Sequence, residues 1–274
     1  FSILLLSFSL FIFSFSQAQV KTRALKKVTE LQMPGTIDDE YPGTRGASVA
    51  WHPVQKKYYT VMAGNMLYPL AVFDAGSKRV SGDETNTLID SRGLWYNPTE
   101  KRIEGNTYDN YGWFYYKLDE KGIPYDYAIL FEGQNQPTVQ CVGAYNTADK
   151  KVMFLGGSQV YSYNISDATA EENTLLMHWG RTAKDGPADN EDPAAEPEDY
   201  NNTSIVYTNL PSAEIGTVNF TNKQIELYNK KDGFLTQVLT LPETAVVEKS
   251  FNFAYANGIY WLFNIEKRKW VGYK

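Results

Sequence analysis

The sequence predicts an all-β protein, a β-propeller of five four-stranded blades in which a strand from the N-terminus completes the last blade. Three observations support this fold: a motif that recurs five times, strand-type residue patterns within each copy, and a final copy that lacks its fourth strand. The chain of 274 residues is long enough for one large domain of this kind.

The recurring motif is clearest in WYNPTEKRI, residues 95–103, where two aromatic residues precede Asn-Pro, a polar turn and a return to apolar sequence. Altered copies occur along the chain, with equivalent positions at Pro53, Pro98, Thr147, Asn209 and Asn257. The intervals between these positions are 45, 49, 62 and 48 residues. A fixed period of this length is typical of architectures in which each repeat is one supersecondary unit.

Each copy divides into short runs rich in β-branched and aromatic residues, separated by turns of Asn, Pro, Asp, Gly and Lys. In the first copy, these runs are GASVAW, YYTVMAG, LAVFDAG and NTLID. The runs show no helical period. Four strands in each unit, repeated radially, describe a propeller blade.

The fifth copy ends at KRKWVGYK, where its third strand is expected. Near the N-terminus, VTELQMP (residues 28–34) resembles the fourth-strand run of copy four, QVLTLP, in its alternation and its closing proline. We therefore expect this N-terminal strand to pair with residues 270–273 and to complete the last blade. Such pairing removes open sheet edges, which otherwise favour aggregation.

The first 16 residues are apolar or serine and carry no charge, and Ser16-Gln17-Ala18 follows. This pattern predicts a signal peptide of residues 1–18 and secretion to the periplasm or the extracellular space. The apolar run is shorter than the ~20 residues of a membrane anchor. We therefore expect no membrane insertion after signal cleavage, and a monomer whose residues 20–274 form a single propeller domain.

The composition excludes several classes of partner. The net charge of −6 and the scattered lysines and arginines argue against nucleic acid and anionic lipid, whose phosphates require clustered positive charge. The single cysteine, Cys141, excludes an internal disulfide and is expected to be a small buried residue. His52 and His178 form no ligand pair, so the sequence predicts no metal site. Whether the protein binds a cofactor is left open by the sequence.

Residues 183–202 form an acidic insertion with seven carboxylates, one lysine and three prolines. Because this composition cannot bury apolar area, we expect a solvated loop that lengthens the third interval. A calcium loop is the functional alternative, since oxygen ligands crowd here, but the spacing fits no EF-hand pattern.

The repeat resembles those of secreted bacterial β-propellers such as the NHL and YVTN types. The resemblance covers nearly all of the chain after residue 18 and lies in periodicity and strand chemistry, without a Trp-Asp signature, an Asp-box or a quinone-site pattern. It implies a propeller fold. Because propellers include scaffolds, lactonases, glycosidases and dehydrogenases, it implies no particular activity.

In a propeller, the links into each first strand and the turns between second and third strands lie on one face, called here the loop face. Arg45 and Arg92 hold equivalent places there, in Thr-Arg-Gly and Ser-Arg-Gly. Two guanidinium groups at one funnel suit a carboxylate or sugar-acid ligand. The candidate ligand-binding residues are Arg45, Asp90, Arg92, Tyr108, Asp109, Gln140, Glu248 and Lys249.

Our leading hypothesis is an exported, non-catalytic propeller that binds a protein or carbohydrate partner through the loop face. The alternative is a hydrolase with carboxylates at the central channel. A glycosidase would use two acids, such as Asp90 with Glu248 or one of residues 38–40. A lactonase would use acids and amides around a divalent cation, although Asn97 and Asn146 are expected on the opposite face. The sequence leaves the choice between binding protein and enzyme open.

Overall fold

The computed structural model describes residues 20–35 and 43–274, and this part of the chain forms twenty β-strands and one short 3₁₀ turn. The predicted signal peptide and the acids Asp38, Asp39 and Glu40 lie outside the described residues. No helix in the described part is long and apolar enough to cross a membrane.

The described part of the chain starts with two strands and continues into two antiparallel sheets, named blades one and two. The first two strands are β1 (Lys21–Ala24) and β2 (Lys27–Gln32). Blade one contains β3 (Gly46–His52), β4 (Lys57–Met62) and β5 (Leu70–Asp74). Blade two contains β6 (Ser91–Asn97), β7 (Arg102–Thr107), β8 (Trp113–Leu118) and β9 (Pro124–Phe131), with the 3₁₀ turn Asp109–Tyr111 between β7 and β8.

Three further sheets follow. Blade three contains β10 (Ala144–Asn146), β11 (Lys151–Gly156), β12 (Gln159–Asn164) and β13 (Leu175–Leu176). Blade four contains β14 (Val206–Tyr207), β15 (Ile215–Asn219), β16 (Gln224–Tyr228) and β17 (Leu235–Thr240). Blade five contains β18 (Phe253–Ala256), β19 (Ile259–Asn264) and β20 (Lys269–Tyr273).

The first strands of the five blades surround a common axis. Strand β3 contacts β6, β6 contacts β10, β10 contacts β14, β14 contacts β18, and β18 contacts β3. This circular order confirms the predicted arrangement of five blades. The hydrophobic core lies in the seams between the blades, where Trp261 and Trp270 of blade five pack with Tyr58 and Phe73 of blade one.

The N-terminal segment contacts two blades. Strand β2 pairs antiparallel with β20, where Leu31 lies opposite Trp270 and both side chains are fully buried. Strand β1 pairs parallel with β17 and adds a fifth strand to blade four. The sequence does not predict β1, because all four of its residues are exposed and it shows no apolar alternation.

Blade one differs from the sequence prediction at its outer edge. The run NTLID, residues 86–90, is not a strand, and Leu88 adopts a positive φ of 61°. The edge of β5 is instead covered by an irregular segment, in which Val80 N donates to Val72 O and Thr87 N donates to Tyr68 O. The fourth-strand position of this blade is therefore filled by turns and isolated bridges.

A polar turn of one backbone form occurs in every blade; it joins the first and second strands in blades one to three and the second and third strands in blades four and five. Its first residue accepts a hydrogen bond from a backbone N–H within the turn, as Asn97 Oδ1 does from Thr99 N at 3.0 Å. Its fifth residue adopts a left-handed conformation, which allows the tight reversal between two strands. The fifth residues are Lys56, Lys101, Lys150, Lys223 and Arg268, with φ of 54, 55, 57, 49 and 48°.

Candidate functional site

Arg92 is the centre of the loop face and is almost completely buried, with 4% of its surface exposed. Its guanidinium forms a bidentate ion pair with Asp90, in which Nη2 lies 3.2 Å from Oδ2. Its Nε donates to Gln140 Oε1 at 2.9 Å, and Nη1 also donates to the backbone of Ser91. The Asp90 carboxylate further accepts the N–H of Gly64 from blade one. The structure therefore brings three of the predicted site residues into one network.

Arg45 and Arg92 approach the same aromatic side chain. The guanidinium carbon of Arg45 lies 5.6 Å from the ring centre of Phe251, and that of Arg92 lies 5.9 Å from it. Arg92 also lies 4.7 Å from the ring centre of Tyr108. These distances are within the range of cation–π attraction. Arg45 is exposed, whereas the donors of Arg92 are already bonded within the protein.

Of the other predicted residues, Tyr108 bonds to this cluster through its backbone N–H, which donates to Asp90 O at 2.9 Å. Tyr108 precedes the 3₁₀ turn, and Asp109 begins it with a positive φ of 54°. The backbone carbonyls of Glu248 and Lys249 accept hydrogen bonds from Asn201 Nδ2 and Asn202 N. Among the described residues, the side chains of Asp109, Glu248 and Lys249 form no hydrogen bond or ion pair with Arg92.

Buried amides hold neighbouring blades together on the loop face, and the sequence analysis did not identify this role. Asn106 of blade two accepts the N–H of Gly143 at 3.1 Å, and Asn252 accepts the N–H of Gly46 at 2.6 Å. Asn201 Nδ2 donates to Phe251 O at 2.8 Å. Because each bond links successive blades, these amides fix the spacing of the ring. Only the tertiary contacts reveal this, since asparagine is also common in turns.

The loop end of the channel is filled by side chains. Phe251 is 2% exposed and belongs to the same buried cluster as Ala47, Leu94 and Val142, which come from three different blades. Phe251 and Asn252 both adopt positive φ, 54° and 59°. Two consecutive residues of this kind are unfavourable unless the surroundings hold them, here through Asn201 and Thr203. The loop face therefore presents a surface rather than an open funnel.

The opposite end of the channel is open and lined by one aromatic side chain from each blade. These side chains occupy the same position in the repeat, two residues before the aligned position. We call this set the aromatic collar: Trp51, Tyr96, Tyr145, Tyr207 and Tyr255. The sequence signal was present in the repeated Ala-Trp, Trp-Tyr and Ala-Tyr pairs, which the sequence analysis interpreted only as strand residues.

The collar surrounds a cavity of about 260 Å³ that reaches into the channel as far as Ser48, Leu94 and Val142. Within the described chain, its lining contains no charged side chain; its polar side chains are hydroxyls, aromatic N–H groups and the amide of Asn257. Burial raises the pKa of Tyr145, Tyr207 and Tyr255, and the negative charge of Glu104 raises that of Tyr145 further. These phenols are therefore neutral hydrogen-bond donors at physiological pH.

The acidic insertion lies mostly on the surface, but it is attached to blade three. Ser158 donates from its backbone to Pro193 O at 3.0 Å and from its hydroxyl to Ala195 O at 2.9 Å. His178 Nδ1 and Glu191 Oε2 are 2.7 Å apart. No group of three or more His, Cys, Asp or Glu side chains in the described residues is placed to hold a metal ion.

The ring of five sheets and the packed channel define the class of the protein: it is a β-propeller with five blades. No protein-family model matches the chain, and no curated protein sequence does. Among solved structures, glutaminyl cyclase from Myxococcus xanthus is 8% identical, with 93% of this chain and 98% of that chain covered and a TM-score of 0.53. At this identity the likeness concerns the fold alone.

Two further solved structures are similar at lower TM-scores. A Bacteroides thetaiotaomicron protein of unknown function is 12% identical, with 85% of this chain and 60% of that chain covered and a TM-score of 0.46. A chain of the nidogen/laminin complex is 7% identical, with 71% and 67% covered and a TM-score of 0.39.

Proposed function

We propose that this chain is an exported, non-catalytic β-propeller, related to the NHL and YVTN types, that binds a protein or glycan partner through its loop face. In this proposal, β2 closes the ring and keeps that face rigid. The observation that carries the proposal is the cluster of Arg45, Arg92, Tyr108 and Phe251, which joins side chains from different blades at the axis.

The cluster suits recognition because its inner members are fixed and its outer members are exposed. Asp90 and Gln140 hold Arg92, and Arg92 supports the rings of Tyr108 and Phe251. Arg45 is exposed, and its guanidinium carbon lies 5.6 Å from the centre of the same Phe251 ring. A guanidinium stacked on an aromatic ring is pre-organised for a planar carboxylate, so Arg45 is the residue that contacts an acidic group of the partner.

The hydrolase alternative has less support from the same geometry. A glycosidase acid needs a carboxyl group that is protonated near neutral pH and faces the scissile bond. Asp90 instead acts as an acceptor, and its carboxylate receives hydrogen bonds from Arg92 and from the N–H of Gly64. Asp90 is therefore better suited to positioning Arg92 than to donating a proton.

A glycan array that contains neutral and uronic or sialic acid glycans tests the proposal, together with a matched array of acidic and neutral peptides. Replacement of Arg45 by alanine should weaken binding of acidic ligands about tenfold or more, since a charge-assisted contact is lost. Arg79, which pairs with Asp83 on the rim of blade one, provides the control Arg79→Ala. Turnover of an aryl glycoside or a lactone, or equal effects of both variants, would overturn the proposal.

A further inference from the structure

We infer that the open end of the channel is a second binding site, distinct from the loop face, which takes a neutral sugar ring such as the terminal residue of a glycan. The site consists of the aromatic collar and the cavity that it surrounds. The loop-face proposal does not enter this inference, because the two ends of the channel are separated by the packed residues around Phe251.

The lining of the cavity selects against charged ligands. Five blades contribute to it, and among the described residues none contributes a lysine, arginine, aspartate, glutamate or histidine. A charged ligand would lose its hydration without gaining a counter-charge, which is costly. A neutral ligand avoids this cost.

The collar offers both apolar surface and hydrogen-bond donors. Within residues 20–35 and 43–274, no hydrogen bond is formed by the polar side-chain atoms of the collar, which are the phenol oxygens of Tyr96, Tyr145, Tyr207 and Tyr255 and the indole nitrogen of Trp51. None of these atoms is among the fully buried polar atoms that lack a partner, so each remains accessible to solvent. Aromatic residues with one apolar body and one polar tip are favoured where a ligand has the same dual character. A pyranose ring has this character, with C–H groups on its faces and hydroxyls around its edge.

The orientation of the collar favours stacking against one ring face over enclosure of a cation. Trp51 lies 4.5 Å from Tyr58, Tyr96 lies 4.7 Å from His52, and Tyr255 lies 4.8 Å from Tyr260, measured between ring centres. One side of each of these rings is therefore covered by a neighbouring ring, on the adjacent strand of the same blade for Trp51 and Tyr255 and in blade one for Tyr96. An aromatic cage for a quaternary ammonium group needs several free ring faces that converge on one point.

The size of the cavity limits the ligand. Its volume of about 260 Å³ is below the range of pockets that enclose drug-sized molecules, roughly 300–1,000 Å³. It has room for one ring-sized group, and its open side allows the rest of a glycan to extend into solvent. The collar positions are fixed by the strands rather than by loops, which makes the site rigid.

Calorimetry and saturation-transfer NMR with methyl glycosides of glucose, galactose, mannose and N-acetylglucosamine test the inference, with choline and N-acetylneuraminic acid as comparators. We expect at least one neutral glycoside to bind with a millimolar Kd, as a single small ring contact would provide. Neither comparator should bind as tightly.

Three variants locate the binding. Trp51→Ala should weaken it about tenfold, since one stacking surface is removed. Tyr255→Phe keeps the packing and should weaken it about threefold through loss of the hydroxyl. The matched control is Tyr111→Ala, an aromatic residue on the loop face that is 65% exposed, which should leave Kd unchanged. Thermal unfolding of each variant confirms that it folds.

The inference would be overturned if no neutral glycoside binds at about 20–50 mM, or if choline binds more tightly than every glycoside. It would also be overturned if Tyr255→Phe binds the glycoside as tightly as the wild type while Tyr111→Ala binds it more weakly.

Discussion

His52 shows how a single side chain can replace another in a repeated turn. In the turns of this form in the other four blades, the first residue is asparagine, whose side-chain oxygen accepts backbone N–H groups. In blade one, His52 Nδ1 accepts the N–H of Gln55 at 3.3 Å. This bond requires an unprotonated Nδ1, so the neutral imidazole is the form that maintains the turn.

Burial lowers the pKa of His52 below its usual value of 6.5. The unfolded chain therefore binds this proton more readily than the folded chain, and the stability contributed by neutral His52 is present above pH 6.5 and is lost as the pH falls below it. We expect the free energy of unfolding to decrease from pH 7.5 to 5.5, by at most about 1.4 kcal/mol per pH unit from this group.

The matched variant is His52→Asn, which introduces the residue found at the same turn position of blades two and three. It should reduce the pH dependence between 7.5 and 5.5, although loss of the contact with Tyr96, 4.7 Å away, lowers the absolute stability. Urea unfolding at several pH values measures both quantities. An unchanged slope in the variant would show that His52 does not cause the pH dependence.

The loop-face residues also show what the sequence can predict at this scale. The similar Thr-Arg-Gly and Ser-Arg-Gly sequences suggested that Arg45 and Arg92 would lie near one another, and both lie over Phe251. They did not predict that Arg92 would be buried and bonded to Asp90 and Gln140, because that depends on how blades two and three approach each other. The role of Phe251 had no local signal.

At the scale of elements, the N-terminal segment joins blades that are far from it in sequence. β2 is the outer strand of blade five, and Glu30 in it pairs with Lys269 at 2.6 Å. Hydrogen bonds from Lys269 and Lys27 lower the pKa of Glu30. β1 then extends the contact to blade four. The alternation of residues 28–34 led to the expectation that β2 pairs with residues 270–273, whereas the fully exposed β1 shows no residue pattern that predicts a partner.

The contribution of β2 can be measured with two substitutions in the same strand. Leu31→Ala removes a fully buried side chain from the contact with blade five and should lower the free energy of unfolding by about 2–4 kcal/mol. Val28→Ala, at a position that is 51% exposed, should change it by less than about 0.5 kcal/mol. Urea denaturation of both variants provides the comparison. If Leu31→Ala unfolds like the wild type, β2 does not support the ring.

Blade one marks the limit of prediction from strand patterns. NTLID has the composition of a strand, but Ser81, Gly82 and Asp83 lead the chain through turns before it, and Leu88 takes a left-handed conformation. The edge of β5 is satisfied by scattered backbone bonds from residues 78–87 instead of a continuous ladder. Strand propensity could not show this, because it does not determine which segment of the chain pairs with the free backbone groups at the edge of β5.

At the scale of the whole molecule, the five-fold repeat produces a ring with two chemically different ends. The loop end contains ionic, amide and aromatic groups that bond to one another across the blades. The opposite end contains the aromatic collar and a cavity without charges. The period of the repeat predicted the number of blades. It could not show which end was filled, since Phe251 lies in a connecting segment outside the repeated pattern.

The central claim is that five sheets form a ring closed by the N-terminal segment. Hydrogen–deuterium exchange of the intact protein tests this claim most directly. The account predicts that the amides of residues 27–32 exchange as slowly as those of β20 and β19, since β2 is a paired strand of the same sheet. Exchange of residues 27–32 at the rate of an unpaired segment, while β19 and β20 remain protected, would contradict it.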